Sequence, residues 1–247
     1  MQNSGKVIMG LCVLWILFSA PAMAEVVDND IYAALLKKHV KNSHVNYDGF
    51  KEDEPLLDRY LEVLSRTPVS RLSRNDQFAF YINAYNASTI KLVLTKYPGI
   101  NSIKEIGSFF SNAWNKDFIL LEGRTVSLDY IEHQILRPVF KDPRVHFAIN
   151  CASKSCPPLR DEPYDGGRLE NQLNDQAKSF INNTKNTFIK QDTLFVSRIF
   201  KWFEDDFSNN PLMFIRQYAS EELKQSLDRN AGSLKLSFLD YDWSLNR

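Results

Sequence analysis

Two cysteines, a histidine and an asparagine lie close together in one segment of the chain. His146 is followed by Asn150 and Cys151, and Cys156 comes just before Pro157. Side chains of these types can form a thiol nucleophile with its base, a redox pair, a metal site or a disulfide. This segment is therefore the strongest candidate for chemistry in the sequence.

A nucleophilic cysteine needs a neighbour that lowers the pKa of its thiol, which is ordinarily about 8.5. Apolar residues alternate through the segment 144–150, which predicts a strand with His146 and Asn150 on one face. Cys151 must leave strand geometry to meet His146, and the polar residues after it predict a loop that allows this. Cys151 is thus the candidate nucleophile, and His146 is its candidate base.

A second histidine, His133, lies on a helix that is predicted to begin after Ser127. Asp129 and Arg137 lie four residues before and after His133, so the three side chains share one helix face. Glu132 is the neighbour of His133 in sequence. A site of cysteine, histidine and carboxylate could therefore use either histidine as base, with Glu132 or Asp129 as the acid that orients it.

Two asparagines could complete such a site. The segment 77–94 is apolar on nearly every face, which predicts a central buried helix. Asn83 and Asn86 lie three residues apart on it, so their amides must find hydrogen-bond partners. They could bridge neighbouring loops, or they could line the site and hold an oxyanion, as could Asn150.

The alternative use of the two cysteines is a disulfide. Four residues separate Cys151 from Cys156, so the loop would have to fold back to bring their Cα atoms to about 5.5–6 Å. Dithiol exchange is less favoured, because the thioredoxin type of motif has two intervening residues. The chain also lacks the paired ligand spacing of zinc sites, so we expect no metal and no cofactor.

The N-terminal segment, 1–24, has the pattern of a signal peptide. Lys6 precedes an apolar run, and residues 22–24 form a small-x-small cleavage site. We therefore expect a periplasmic or secreted protein with one domain over 25–247 and no integral membrane segment after cleavage. The formal net charge is zero, which predicts no attraction to nucleic acid. The expected partner is a small-molecule or peptide ligand.

The remaining patterns predict an α+β fold in one compact domain, with a mainly helical first half and a small sheet. The predicted helices are 30–40, 56–64, 77–94, 128–136 and 169–181, and the predicted strands are a hairpin at 118–126 and segments at 144–150, 193–196 and 236–243. The segment 199–207 is an aromatic and acidic block. We expect its acids, 204–206, to form a solvated turn.

Several blocks of the sequence together resemble one known family. They are Phe80–Ala87 (FYINAYNA), Ser127–His133 (SLDYIEH), His146–Leu159 (HFAINCASKSCPPL), Lys201–Phe207 (KWFEDDF) and Tyr241–Asn246 (YDWSLN). These blocks resemble the DUF547 family, a domain of unknown function in exported bacterial proteins and in plant proteins, and the resemblance covers about residues 46–246. It implies a distant relation to papain-like cysteine hydrolases. In such a fold Cys156, before Pro157, is an alternative nucleophile at a helix N-terminus.

We therefore expect a thiol hydrolase or transferase that acts on an amide or thioester. Its nucleophile is Cys151, its base is His146 and its orienting acid is Glu132. Asn83 or Asn86 holds the oxyanion. The alternative is a non-catalytic periplasmic binding or interaction module, in which a Cys151–Cys156 disulfide is formed and the aromatic residues make a ligand surface.

Overall fold

The computed structural model describes residues 27–107, 112–230 and 234–247. Within these ranges the chain has a mainly helical α+β fold, which confirms the predicted fold class, and its strands form three small sheets where one was predicted. The predicted signal segment, 1–24, lies outside the described residues, so export stays a prediction. No helix in the described ranges is long and apolar enough to cross a membrane.

The helices and strands have the following bounds in chain order. The helices are α1 Asp30–His39, α2 Tyr47–Glu52, α3 Glu54–Arg66, α4 Arg74–Leu94, α5 Leu128–Tyr130, α6 Val145–Ala148, α7 Leu169–Ile181, α8 Ile199–Trp202, α9 Pro211–Tyr218 and α10 Glu221–Arg229. The strands are β1 Val40–Lys41, β2 His44–Val45, β3 Ile119–Leu121, β4 Arg124–Val126, β5 Thr187–Lys190, β6 Thr193–Val196 and β7 Lys235–Phe238. The predictions of α1, α3, α4, α7 and β6 are confirmed to within a few residues.

Helix α4 is the centre of the larger part of the core. It begins earlier than the sequence predicted, because Ser73 Oγ accepts a hydrogen bond from the backbone N–H of Asp76 at 3.2 Å and caps the helix. Every residue from Phe78 to Ile90 is buried. A helix enclosed on all sides must satisfy any polar side chain internally, which makes its asparagines informative.

A hairpin leads into the helix that carries His133. Strands β3 and β4 pair antiparallel around the predicted Glu122-Gly123 turn, and both turn residues have positive φ angles, 50° and 75°. Ser127 Oγ accepts a hydrogen bond from Tyr130 N at 3.1 Å and caps α5. Helix α5 then continues as a π-helix over Ile131–Phe140. This wider helix includes Pro138, which has no N–H to donate.

The prediction of a strand over 144–150 is wrong. Helix α6 forms a single turn there, and the backbone becomes extended only at Ile149. All the residues from Val145 to Asn150 are buried. The alternation of apolar residues therefore did not mark one face of a sheet, because protein encloses this segment on both sides.

The core has a second, smaller part that packs around Phe147. Its ring contacts those of Phe180, Phe200, Phe207 and Phe214, with centroid distances of 5.2–6.1 Å. The largest sheet has the order β5-β6-β7, with β5 and β6 antiparallel and β6 and β7 parallel. This part of the core attaches α8 and the residues after it to the body of the fold.

The C-terminal segment is only partly a strand, because β7 ends at Phe238. The following residues run along the loop that carries the cysteines. Lys154 N donates to Ser244 O at 2.8 Å, and Asn246 N donates to Ala152 O at 3.2 Å. The end of the chain thus supports the segment that the sequence singled out for chemistry.

Candidate functional site

A cavity of about 250 Å³ brings together most of the predicted site residues. Glu132, His133, His146 and both cysteines line it. Its volume is close to the lower end of the range that small-molecule sites occupy. The predicted residues of α4, Asn83 and Asn86, are not part of its lining.

The cysteine loop, residues 151–156, is held by the amide of Asn150. Asn150 Nδ2 donates to Pro157 O at 2.7 Å, and its Oδ1 accepts from Ala152 N at 2.9 Å. Ala152 is fully buried and has a φ of 62°. A left-handed conformation at a residue other than glycine costs about 1–3 kcal/mol and persists only where the surroundings enforce it. The hydrogen bonds of Asn150 and the left-handed backbone at Ala152 therefore fix the conformation of the loop that carries Cys151.

Both cysteines of this loop are free thiols, so the predicted Cys151–Cys156 disulfide is wrong for this structure. Their Sγ atoms lie 2.7 Å apart, whereas a disulfide bond is about 2.05 Å long. The loop does fold back, as a bridge would require. Its sulfurs are instead hydrogen-bonded to each other, and Cys156 Sγ also accepts from Cys151 N at 2.7 Å.

The surroundings of Cys151 favour its thiolate. Burial raises its pKa, but hydrogen bonds to its sulfur from Cys156, Ser153 and Tyr241 outweigh burial and lower the pKa to about 7. Ser153 Oγ lies 3.4 Å and Tyr241 Oη 3.3 Å from Cys151 Sγ. Burial and the adjacent Cys151 raise the pKa of Cys156. The two thiols titrate as a pair, in which Cys151 loses the first proton and Cys156 retains its own.

His146 is oriented by Asp206, which the sequence analysis did not assign to the site. His146 Nε2 donates to Asp206 Oδ2 at 2.7 Å, and Arg137 Nε donates to the same oxygen at 2.6 Å. Because a carboxylate only accepts, neutral His146 carries its proton on Nε2 and keeps a lone pair on Nδ1. Its ring stacks on Phe203 with a centroid distance of 3.9 Å.

The imidazole of His146 is neutral, which is the state in which it can accept a proton as a base. Its side chain is 1% exposed, and Nδ1 is buried without a hydrogen-bond partner. Burial lowers the pKa of His146, although the hydrogen bond to Asp206 raises it, so the ring is neutral at neutral pH. Within the described part of the chain no hydrogen bond joins His146 to Cys151. The two side chains line the same cavity but are not hydrogen-bonded to each other.

Asp206 occupies the position beside His146 that the sequence analysis expected for Glu132. Glu132 Oε2 instead accepts a hydrogen bond from Tyr85 Oη at 3.2 Å. Glu132 is buried, and burial raises its pKa to about 7. A carboxyl group that is partly protonated at neutral pH therefore lines the same cavity as Cys151.

The predicted face of Asp129, His133 and Arg137 is confirmed. Arg137 Nη1 lies 2.8 Å from His133 Nδ1, and His133 Nε2 lies 3.5 Å from Asp129 Oδ1. A guanidinium only donates, so His133 Nδ1 accepts. Since both ring nitrogens of His133 face partners, His146 is the better candidate for a base.

The asparagines of α4 bridge neighbouring loops and lie outside the lining of the cavity. Asn83 exchanges two hydrogen bonds with the backbone of Tyr164, at 2.8 and 2.9 Å. Asn86 donates to Ala148 O at 3.0 Å and accepts from Asn150 N at 2.8 Å. Their amides are thus used to attach two loops to the central helix. Of the two roles that the sequence left open, these hydrogen bonds match the bridging one, and neither amide lines the cavity.

Aromatic side chains form much of the remaining lining of the cavity. We call Trp202, Tyr241 and Trp243 the aromatic wall. Their ring centroids are 4.6–5.7 Å apart, and Trp114 lies 5.6 Å from Trp243. Trp202 is 44% exposed. The wall combines α8 with the C-terminal segment, a pairing that no local sequence pattern encodes.

Sequence reasoning overlooked Asp206 because it lies among three consecutive acids. The expectation that they form a solvated turn is correct for Glu204 and Asp205, which are exposed, and wrong for Asp206. Hydrogen bonds from His146 and Arg137 lower the pKa of Asp206, so it is ionised. The available signal was the likeness of the block 201–207 to the family pattern.

Residues 69–181 match the family model DUF547, which is described as a protein of unknown function. The family assignment made from the sequence is therefore confirmed, and this region belongs to DUF547. It includes His133, His146 and both cysteines of the loop, whereas Asp206 and the aromatic wall lie beyond it. No curated protein and no solved structure matches the chain. The relation to papain-like hydrolases stays a prediction.

Proposed function

We propose that this protein is a cysteine-dependent hydrolase or acyl transferase that acts on an amide or thioester. One observation carries the proposal: a thiol within hydrogen-bond distance of Ser153 Oγ and Tyr241 Oη, and a histidine oriented by a carboxylate, line the same cavity. The hydrogen bonds to this sulfur outweigh its burial and lower the pKa of Cys151 to about 7, which favours its thiolate. The nucleophile is therefore available without prior proton transfer to His146.

In the first step, the Cys151 thiolate attacks the carbonyl carbon of the substrate and a C–S bond forms. The bond to the leaving amine or thiol then breaks, and the neutral carboxyl of Glu132 supplies the leaving group with its proton. Tyr241 donates to the oxyanion, because burial raises its pKa and its hydroxyl lies 3.3 Å from Cys151 Sγ. The product of this step is an acyl-enzyme thioester.

In the second step, water or another acceptor attacks the thioester and gives its proton to His146 Nδ1. The C–S bond breaks, Cys151 leaves as thiolate, and the acyl group departs as a carboxylic acid or as the transferred product. His146 returns its proton to solvent, and solvent reprotonates Glu132. Asp206 is a positioning residue in this scheme, since it holds the tautomer that leaves Nδ1 free.

Alkylation of the purified chain by iodoacetamide, followed as a function of pH, tests the nucleophile. We expect rapid modification of Cys151 with a midpoint near pH 7, retained in Cys156→Ser and lost in Cys151→Ser. Peptide mass mapping identifies the modified residue. Failure of Cys151 to react below about pH 8 contradicts the proposal, because an unactivated thiol behaves in this way.

A non-catalytic binding module is the second candidate function. The aromatic wall with its exposed Trp202 favours it, as does the lack of a hydrogen bond between His146 and Cys151 in the described chain. Binding without catalysis predicts that no acyl adduct on Cys151 is trapped from thioester probes. An adduct seen by mass spectrometry, and missing in Cys151→Ser, excludes this candidate. Under either function we propose export, which the pattern of residues 1–24 supports.

A further inference from the structure

The charged side chains that line the cavity are acidic. Asp129 and Glu132 belong to its lining, and no lysine or arginine does so among the residues that the structure describes. The guanidinium of Arg137 is engaged outside the lining, by Asp206 and by His133. Burial lowers the pKa of both His133 and His146, so neither ring contributes positive charge at neutral pH. The lining itself therefore supplies carboxyl groups and, in the described ranges, no cation, which favours a cationic ligand over an anionic one.

Asp129 is the carboxylate that is free to meet a ligand. Its side chain is 46% exposed, and within the described ranges its one ion-pair neighbour is His133, at 3.5 Å. Because the ring of His133 is neutral at neutral pH, this contact does not neutralise the charge of Asp129. The carboxylate stays available to a ligand in a cavity whose other acid, Glu132, is buried.

The aromatic rings at this site already bind cations within the chain. Lys104 Nζ lies 3.8 Å from the centroid of the Trp243 ring, and Arg137 Cζ lies 5.0 Å from that of Phe203. Trp202, in contrast, has no cation over its ring in the described part of the chain. Indole is the strongest of the aromatic side chains in attracting a cation to its face. The exposed ring of Trp202 could therefore bind a cation of a ligand in the same way.

A separate observation points to a ligand with hydrogen-bond donors. His146 Nδ1 has no partner, although its side chain is 1% exposed and lines the cavity. A buried polar atom of this kind requires a partner, and an unprotonated ring nitrogen accepts only from a donor. Asp129 is also an acceptor. A ligand that satisfies these groups must offer hydrogen-bond donors, and a charged amine or guanidinium offers several.

We propose that the substrate of this site carries a positively charged amine or guanidinium near the bond that Cys151 attacks, held between Asp129 and Trp202. This inference rests on the proposed function, because it takes the cavity as the substrate site and Cys151 as the nucleophile. A substrate of opposite charge would meet the Asp129 carboxylate and the Cys151 thiolate, and the nearby cations, Lys104 and Arg137, already lie over the Trp243 and Phe203 rings. The acidic and aromatic linings therefore act together to select the charge of the substrate.

Binding in the Cys151→Ser variant tests the inference without turnover. The probes are Nα-acetyl-lysine methylamide and its neutral analogue Nα-acetyl-norleucine methylamide, which differ in the terminal ammonium group, and binding is measured by titration calorimetry. We expect the lysine probe to bind about tenfold more tightly, as one ion pair with one cation–π contact would supply. Added to the same background, Asp129→Asn and Trp202→Leu should each reduce this preference several-fold.

Asp175→Asn is the matched control, because it removes one negative charge from an exposed position on α7, outside the cavity. The preference for the lysine probe should persist in it. Equal affinity for the two probes, no saturable binding of the lysine probe, or a preference unchanged by Asp129→Asn each overturns the inference. The alkylation of Cys151 does not depend on these results, so a failure here is distinguishable from a failure of the proposed nucleophile.

Discussion

Replacing Asp206 by asparagine separates the charge of this residue from its shape. His146 Nε2 and Arg137 Nε both donate to Oδ2 of Asp206, at 2.7 and 2.6 Å. An asparagine must place its oxygen there, because its NH₂ group would meet two donors. The variant therefore keeps the Nε2–H tautomer of His146 and loses the negative charge beside it.

The expected effect is a lower pKa for His146. A hydrogen bond to a charged group contributes about 1.5–3 kcal/mol and one between neutral groups about 0.5–1.5 kcal/mol. The protonated imidazole thus loses about 1–1.5 kcal/mol of stabilisation, which corresponds to a decrease of about one pKa unit. Asp206 is 26% exposed on its side chain, so solvent screening favours the lower figure. A step limited by proton transfer to His146 should slow about tenfold.

The pKa of His146 is measured by NMR from the pH dependence of its ring C–H signals, assigned by their loss in His146→Gln. Asp205→Asn is the control, since it changes an exposed acid next to Asp206 that makes no side-chain contact with His146. We expect the pKa to fall in Asp206→Asn and to stay constant in Asp205→Asn. An unchanged or higher pKa in a folded Asp206→Asn protein refutes the argument that this carboxylate sets the state of His146.

Two further predictions concern stability. Burial raises the pKa of Glu132 from 4.5 to about 7. Between these pH values the folded state keeps a proton on Glu132 that the unfolded state has released. The free energy of unfolding therefore falls as pH rises through this range. The free energy of unfolding of Glu132→Gln, measured by urea unfolding, should equal that of the parent near pH 4 and exceed it by about 3 kcal/mol above pH 7. If the free energy of unfolding of the variant depends on pH as that of the parent does, this expectation is contradicted. Asn86→Ala leaves Ala148 O and Asn150 N buried without partners and should lower the free energy of unfolding by about 2–4 kcal/mol. Exposed Asn75→Ala, on the same helix, should cost far less, and equal losses would count against the bridging role.

The sequence predicted those elements whose pattern reflects a single local environment. Helix α7 has a buried and an exposed face, and α4 is long and apolar throughout, so the period or length of each pattern identified it. The pattern of the segment 144–150 did not identify its secondary structure, because the segment is short and its residues 145–150 are all buried. Apolar alternation over so few residues does not distinguish a strand from a buried helical turn.

In the candidate site, too, the sequence predicted the features that depend on residues close together in the chain. The sequence alone identified the DUF547 family, the cysteine loop and His146 as the centre of chemistry, and the face shared by Asp129, His133 and Arg137. These features depend on residues a few positions apart, whose mutual placement the backbone geometry of a loop or helix determines.

Only the tertiary structure decided which acid orients His146, whether the cysteines are bonded, and what lines the cavity. Asp206 reaches His146 across sixty positions of sequence, and the aromatic wall joins α8 to the C-terminal segment. Glu132 is nearer to His146 in sequence, yet it faces Tyr85. Contacts of this kind arise from the packing of separate elements around a shared core, and the spacing of residues along one segment carries no record of them.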